Sequence, residues 1–144
     1  MDHVAILSKR WNLLDKIIAG EKTVESRWYK FRRAPWNKIV VGDVVYFKET
    51  AKLISAKAVV DKVLQFSDLN AVKIKEILDN YAVEIGIPFD KISSFAEGVK
   101  GKKYCILVFL KNVEKIQPFE INKRGFGLMS AWLCVEDIEK IKIL

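Results

Sequence analysis

The sequence predicts a mixed α/β chain, rich in strands, in which a small barrel-like sheet is flanked by helices. Strand-like segments outnumber helix-like ones, and the two kinds do not alternate in the strict βαβ rhythm of a doubly wound parallel sheet. Apolar residues make up 51% of the 144 positions and the mean hydropathy is +0.08, so a packed core is expected and disorder is not. A chain of this length reads as one domain over residues 1–144, whose strands can close on a single core and so avoid long exposed edges.

Val4 to Leu7 reads as a short buried strand. Trp11, Leu14, Ile17 and Ile18 follow at helical spacing, with Gly20 as C-cap. Lys22 to Tyr29 alternates as a strand, and Arg32 to Asn37, containing Pro35, reads as a loop. Val44 to Lys48 and Leu53 to Leu64 read as two more strands, with Gly42-Asp43 marking the turn before the first. Ser67 or Asp68 is the expected N-cap of a helix carrying Leu69, Val72, Ile77, Leu78 and Tyr81, stopped by Gly86 and Pro88. A shorter helix should present Phe89, Ile92, Phe95 and Ala96 on one face and break at Gly98 and Gly101. Tyr104 to Val113 is apolar enough for a central strand. Lys123 to Leu128 reads as a glycine loop, and Val135, Ile138 and Ile141 suggest a terminal helix.

Composition excludes some chemistries. The longest apolar run, Tyr104 to Leu110, falls far short of the roughly 20 residues of a spanning helix, so no membrane partner is expected. Asp2 near the start and Lys9-Arg10 soon after do not resemble a secretory leader, and a cytoplasmic location is expected. Cys105 and Cys134 lie in apolar runs and read as free core thiols. His3 is the one histidine and is expected at a frayed terminus, leaving no metal constellation and no His-based triad. No cofactor is implied.

The net charge of +7 makes nucleic acid the expected partner. The excess lies toward the N-terminus, with 13 basic and 8 acidic side chains in the first 72 residues against 12 and 10 in the rest. Its local source is the stretch from Arg27 to Lys38, which holds five basic residues, four aromatic residues and no acid. Cations neutralise phosphates and aromatic faces stack on bases, so this interleaving suits a single-stranded or flipped nucleotide. Arg32 and Arg33 are the expected phosphate contacts. Part of the aromatic set of Trp28, Tyr29, Phe31 and Trp36 should serve the core instead.

Just before lies Gly20-Glu21-Lys22-Thr23-Val24-Glu25-Ser26-Arg27. On a strand Glu25 and Arg27 share one face, while Lys22 borders the turn and is free to swing toward them. Alone, such a pair reads as a solvated surface ion pair.

With a helix ending at Gly20 upstream and Val41-Gly42-Asp43-Val44-Val45-Tyr46-Phe47 downstream, the segment resembles the ASCH family, whose fold is PUA-like and whose motif is G-x-K-x-x-E-x-R. The resemblance covers roughly residues 4 to 64, and the segment Arg124 to Val135 sits only loosely beside other PUA-like domains. It implies a small β-barrel with a cleft where Lys22, Glu25 and Arg27 gather, and RNA or another nucleic acid as ligand. Trp28, Arg32, Arg33, Arg10, Lys48 and Arg124 are the further candidate contacts. Lys9, Lys123 and Ser130 are weaker ones, and Lys100, Lys102 and Lys103 read as a solvated face.

The alternative is a hydrolase acting on RNA or a modified nucleoside. Lys22 and Glu25 would then carry the chemistry, as in family members with assigned ribonuclease activity. In the branch that removes acyl groups from modified cytidine, a Thr nucleophile stands where this chain has Glu25. Thr23 lies nearly 7 Å away along a strand, and Glu84 matches the assisting acid poorly, so the balance leans to a non-catalytic binder.

Overall fold

The computed structural model describes residues 1–127 and 129–143. Its strands are β1 (Asp2–Leu7), β2 (Val24–Tyr29), β3 (Val44–Glu49), β4 (Ile54–Phe66), β5 (Tyr104–Ile121), β6 (Trp132–Val135) and β7 (Lys142–Ile143). Its helices are α1 (Leu13–Ala19), α2 (Ala71–Ile85) and α3 (Ile92–Gly98). The main sheet runs β2-β5-β4-β3-β1-β6, with β7 paired to the far end of β5. Among the described residues only β1 and β3 run parallel; the other pairs are antiparallel. The sheet curls into a half-barrel. Three register shifts between β4 and β5 and one between β3 and β4 supply the bends, since each inserts one or two residues that increase local twist.

The alternation along β5 explains the layers. Ile106 and Val108 point into a core with Phe47, Val45, Ala58 and Ile17 of α1. Cys105 and Leu107 point to the opposite face, where α2 lays down Ile74, Ile77, Leu78 and Ile85. Mostly buried, and flanked by both β2 and β4, the first part of β5, Tyr104 to Leu110, has the near-continuous apolar composition of a central strand. A third cluster, with Val4, Ile54, Leu133 and Ile138, closes the other end.

Several expectations need correction. The α2 cap is Asn70, whose side chain accepts from the Lys73 N–H at 2.9 Å, and neither Ser67 nor Asp68 caps it. Within α2, Val72 faces solvent at 68% exposure because the buried stripe is Ile74, Ile77, Leu78, Ala82 and Ile85. Phe89 belongs to a single 3-10 turn before α3 and is 92% exposed. Lys22 and Thr23 precede β2 and lie outside it. The terminal helix does not form: Trp132 to Val135 pair with β1 as β6, and only a 3-10 turn at Ile138–Lys140 remains. The sheet edge at β1 needs hydrogen-bond partners, and four strongly apolar residues satisfy it better extended than coiled. His3 is fully buried in β1. Its imidazole lies 2.8 Å from the Asp43 carboxylate and accepts from the Trp132 indole at 3.0 Å, so the frayed terminus expected for it is absent. Both cysteines are free, with Cys105 buried and Cys134 half-buried. The expected loop from Lys123 includes Leu128, which lies outside the described residues. Among the described residues no helix is long and apolar enough to cross a membrane.

Replacing Asn70 by Ala should lower unfolding free energy by about 1 kcal/mol, because one of the orphan N–H groups of α2 loses its acceptor. Ser67→Ala should stay within about 0.5 kcal/mol of the parent. Urea denaturation of the two variants checks the assignment.

Candidate functional site

Lys22 is placed by two helix ends. At the end of α1, Gly20 adopts φ +80, and the N–H groups of Glu21 and Lys22 both return to the Lys16 carbonyl. The chain then carries the Lys22 side chain beneath Gly86, the C-cap of α2. A Cβ at Gly86 would stand 3.3 Å from Lys22 Cδ, and its φ of +90 also favours glycine, so this position serves both the cap and the close approach. The ammonium donates to the Ile85 carbonyl at 2.5 Å and the Val24 carbonyl at 2.6 Å. It lies 3.3 Å from Glu25 Oε1. One of the carbonyls left orphan at the C-terminus of α2 is thus met by a cation, which the helix dipole also favours.

Glu25 completes a buried ion cluster. Its Oε1 also accepts from the Ser26 N–H at 3.0 Å, and its Oε2 accepts from Arg27 at 3.3 Å. Arg27 extends across the opening of the half-barrel. It donates to the carbonyls of Ile6 and Ala131, each at 3.2 Å, and its guanidinium sits 5.1 Å from the Trp132 ring centre. β2 and β6 are the two free edges of the sheet, so Arg27 joins through its side chain what no backbone ladder closes. Lys22 is 1% and Glu25 4% exposed. Burial alone pushes the Glu25 carboxyl up, but Lys22, Arg27 and the Ser26 N–H outweigh it and hold the group below its ordinary value. Burial lowers the Lys22 ammonium, an effect that Glu25 opposes.

The cluster floors a pocket of about 470 Å³. Trp11, Trp28 and Phe95 form its aromatic walls, with Arg10 and Lys102 among the lining cations. Trp28 is fixed by its indole N–H, which donates to Ser26 Oγ at 3.0 Å, and by an edge-on contact with Phe95 at 5.8 Å. Trp11 holds its place at φ +60, left-handed backbone that costs a non-glycine residue roughly 1–2 kcal/mol. The Arg10 guanidinium lies 4.2 Å from its ring. A smaller recess of about 100 Å³ adjoins, lined by Arg27, Tyr29, Arg33 and Ser130 among others, with Arg33 over the Tyr29 ring at 5.6 Å.

The fold therefore brings together Lys22, Glu25, Arg27, Trp28 and Arg10, with Arg33 one recess away. Arg32 instead stacks near Trp36 and Tyr104, at 5.8 and 5.6 Å. Lys48 is buried on β3 and lines neither space; Arg124 sits in an exposed turn and lines neither. Glu84, the doubtful assisting acid, is exposed on α2 and does not line the pocket. Lys100 and Lys103 line a separate groove of about 760 Å³ between α2 and α3, and Lys102 borders both spaces. Trp11 and Phe95 read from the sequence as helix-face residues only, and Ala131 carries no signal there. The two aromatics sit at ordinary helical spacing and Ala131 acts through its backbone, so composition gave no signal for them.

Glu25→Gln keeps the shape but leaves two cations around a neutral amide. Stability should fall by roughly 3 kcal/mol or more at neutral pH, the typical cost of breaking a buried pair. Because the folded carboxyl sits below its ordinary value of 4.5, its contribution is complete above that pH and is lost as pH falls through the folded value. Thermal melts of parent and variant should accordingly converge as pH falls through that lowered value.

No family model matches the sequence, and no curated protein is significantly similar to it. Among solved structures, the ASCH protein of Zymomonas mobilis is 18% identical over 96% of this chain and 90% of its own, with a TM-score of 0.68. A point variant of that protein gives the same identity and TM-score over 96% and 93%. A hypothetical protein, PH0355, is 21% identical over 81% of this chain and 100% of its own, with a TM-score of 0.51. With the half-barrel in place and Lys22, Glu25 and Arg27 gathered at its open seam, the fold of this chain is that of the Zymomonas mobilis ASCH protein.

Proposed function

We propose that this chain binds single-stranded nucleic acid, RNA in particular, by holding one base in the pocket between Trp11, Trp28 and Phe95. The carrying observation is the composition of that one space: aromatic walls, an ionised carboxylate on the floor and arginine at the rim. Its volume falls in the range of small-ligand sites and suits a base with part of its sugar. Glu25 Oε2 has one protein donor, Arg27, and so keeps a lone pair for a base-edge N–H. Ser26 Oγ accepts from Trp28 and keeps its own proton for a ligand acceptor. Arg33 and Arg27, flanking the adjoining recess, are placed for the attached phosphate. In this reading Lys22 is a structural cation, since its three N–H groups are spent on Val24, Ile85 and Glu25. Arg32, Lys48 and Arg124 add only to the general positive field.

The test is fluorescence anisotropy with a labelled RNA of about ten nucleotides at several salt concentrations. Affinity should fall as salt rises. Arg33→Ala should flatten the log–log slope by about 0.7, the value of one phosphate contact on a single strand, and Arg32→Ala should leave it nearly unchanged. Trp28→Ala should weaken binding by roughly 1–3 kcal/mol through lost stacking. No binding at low salt would overturn the proposal. RNA cleaved by the parent and left intact by Lys22→Ala would replace it with the hydrolase reading.

A further inference from the structure

We propose that His3 and Trp132 form a pH-responsive support for Arg27, so that protonation of the buried imidazole loosens the guanidinium at the pocket and weakens its hold on ligand. The ligand arm rests on the nucleic-acid reading above; the structural arm does not.

His3 lies between β3 and β6, paired with Val45 and Cys134. An indole N–H can only donate, so the Trp132 contact at 3.0 Å requires a lone pair on His3 Nδ1. The ring proton then sits on Nε2, where Asp43 Oδ2 accepts it at 2.8 Å. The geometry thus selects one neutral tautomer. A second proton on Nδ1 would face the indole N–H head-on, two donors with no acceptor between them. The other neighbour of Nδ1 is Cys134 Sγ at 3.5 Å, a weak acceptor.

The charged groups around His3 do not remove this conflict. Asp43 favours the proton, but it is shared with the Val40 N–H and the Met1 amine. Asp2 on the same strand is engaged by the Ile138 N–H. Lys38 faces Cys134 from the loop before β3, and Arg27 lies across Trp132. Burial, the largest influence, holds the imidazole below its ordinary value of 6.5 against the pull of Asp43. Lowered in this way, His3 is neutral at neutral pH and gains its proton only below its ordinary value of 6.5. The support is therefore complete above 6.5 and is lost on acidification.

Trp132 transmits the change. Its ring underlies Arg27 at 5.1 Å, and the preceding residue, Ala131, supplies one of the carbonyls that Arg27 needs and also accepts from the Ile6 N–H at 2.9 Å. Displacing the indole disturbs both anchors together.

The experiment has two arms between about pH 7.5 and 5, the range in which histidines titrate. NMR of the free protein follows the Trp132 indole N–H and the Arg27 guanidinium, and anisotropy follows the labelled RNA at constant ionic strength. Both resonances should titrate with one midpoint below 6.5 while the remaining amide spectrum holds, and affinity should drop roughly fivefold or more in parallel. His3→Asn, which carries a carbonyl acceptor near the Nδ1 position and cannot titrate, should flatten both curves. Trp132→Phe keeps a ring and deletes the N–H; it should shrink the pH dependence and serves if His3→Asn fails to fold. An indole that titrates while Arg27 does not, an Arg27 insensitive to pH, or global unfolding across the range each overturns the proposal. RNA that binds equally at every pH overturns it as well. If RNA binds at no pH while the two resonances move together, the support stands and the nucleic-acid reading fails.

Discussion

The structure depends on one buried carboxylate with a cation on each side. Glu25 ties Lys22, which reaches the end of α2, to Arg27, which reaches the carbonyls of β1 and the start of β6. Such a cluster is an expensive way to gain stability, because taking three charges out of water costs nearly as much as their attraction returns. What it supplies is geometry. Apolar residues of similar size would fill the same space, but they would not fix a helix end, an edge strand and the opposite edge in one arrangement. The pocket exists because those three elements stop where these side chains hold them.

The same cluster explains why the cavity is both polar at its floor and aromatic on its walls. A half-barrel with unpaired edges must either close by backbone or bridge its seam with side chains. Here Arg27 bridges it, and the remaining gap is covered by rings from α3 and from the turn before α1. The left-handed backbone at Trp11 is the local strain accepted to bring one of those rings over the gap.

Much of this was legible in the sequence where a residue's role depends on its near neighbours. Gly20 as a cap, the continuous apolar run of β5 and the shared face of Glu25 and Arg27 all follow from spacing alone. What escaped was set by partners distant in the chain. Trp132 to Val135 fit a helix or a strand equally well until the free edge of β1 decides for the strand. His3 looks terminal in the sequence and is central in the sheet because Asp43 and Trp132 close over it. Lys22 reads as a ligand-facing cation and proves to be occupied by carbonyls of β2 and α2. The basic and aromatic stretch after Arg27 divides: Trp28 and Arg33 border the two spaces, whereas Arg32, Trp36 and Tyr104 pack together.

The reach of Arg27 to Ala131 has a consequence for synthesis. The two residues are separated by 104 positions, and a ribosome adds about 5–20 residues per second. A nascent chain therefore carries its basic, ring-rich segment for roughly 5–20 s before the second of the two carbonyls that anchor Arg27 has been made. During that interval Arg27 can reach only the Ile6 carbonyl, and β1 lacks its outer strand. Each newly made molecule passes through a stage in which Lys22, Glu25 and Arg27 are present and the seam they bridge is not.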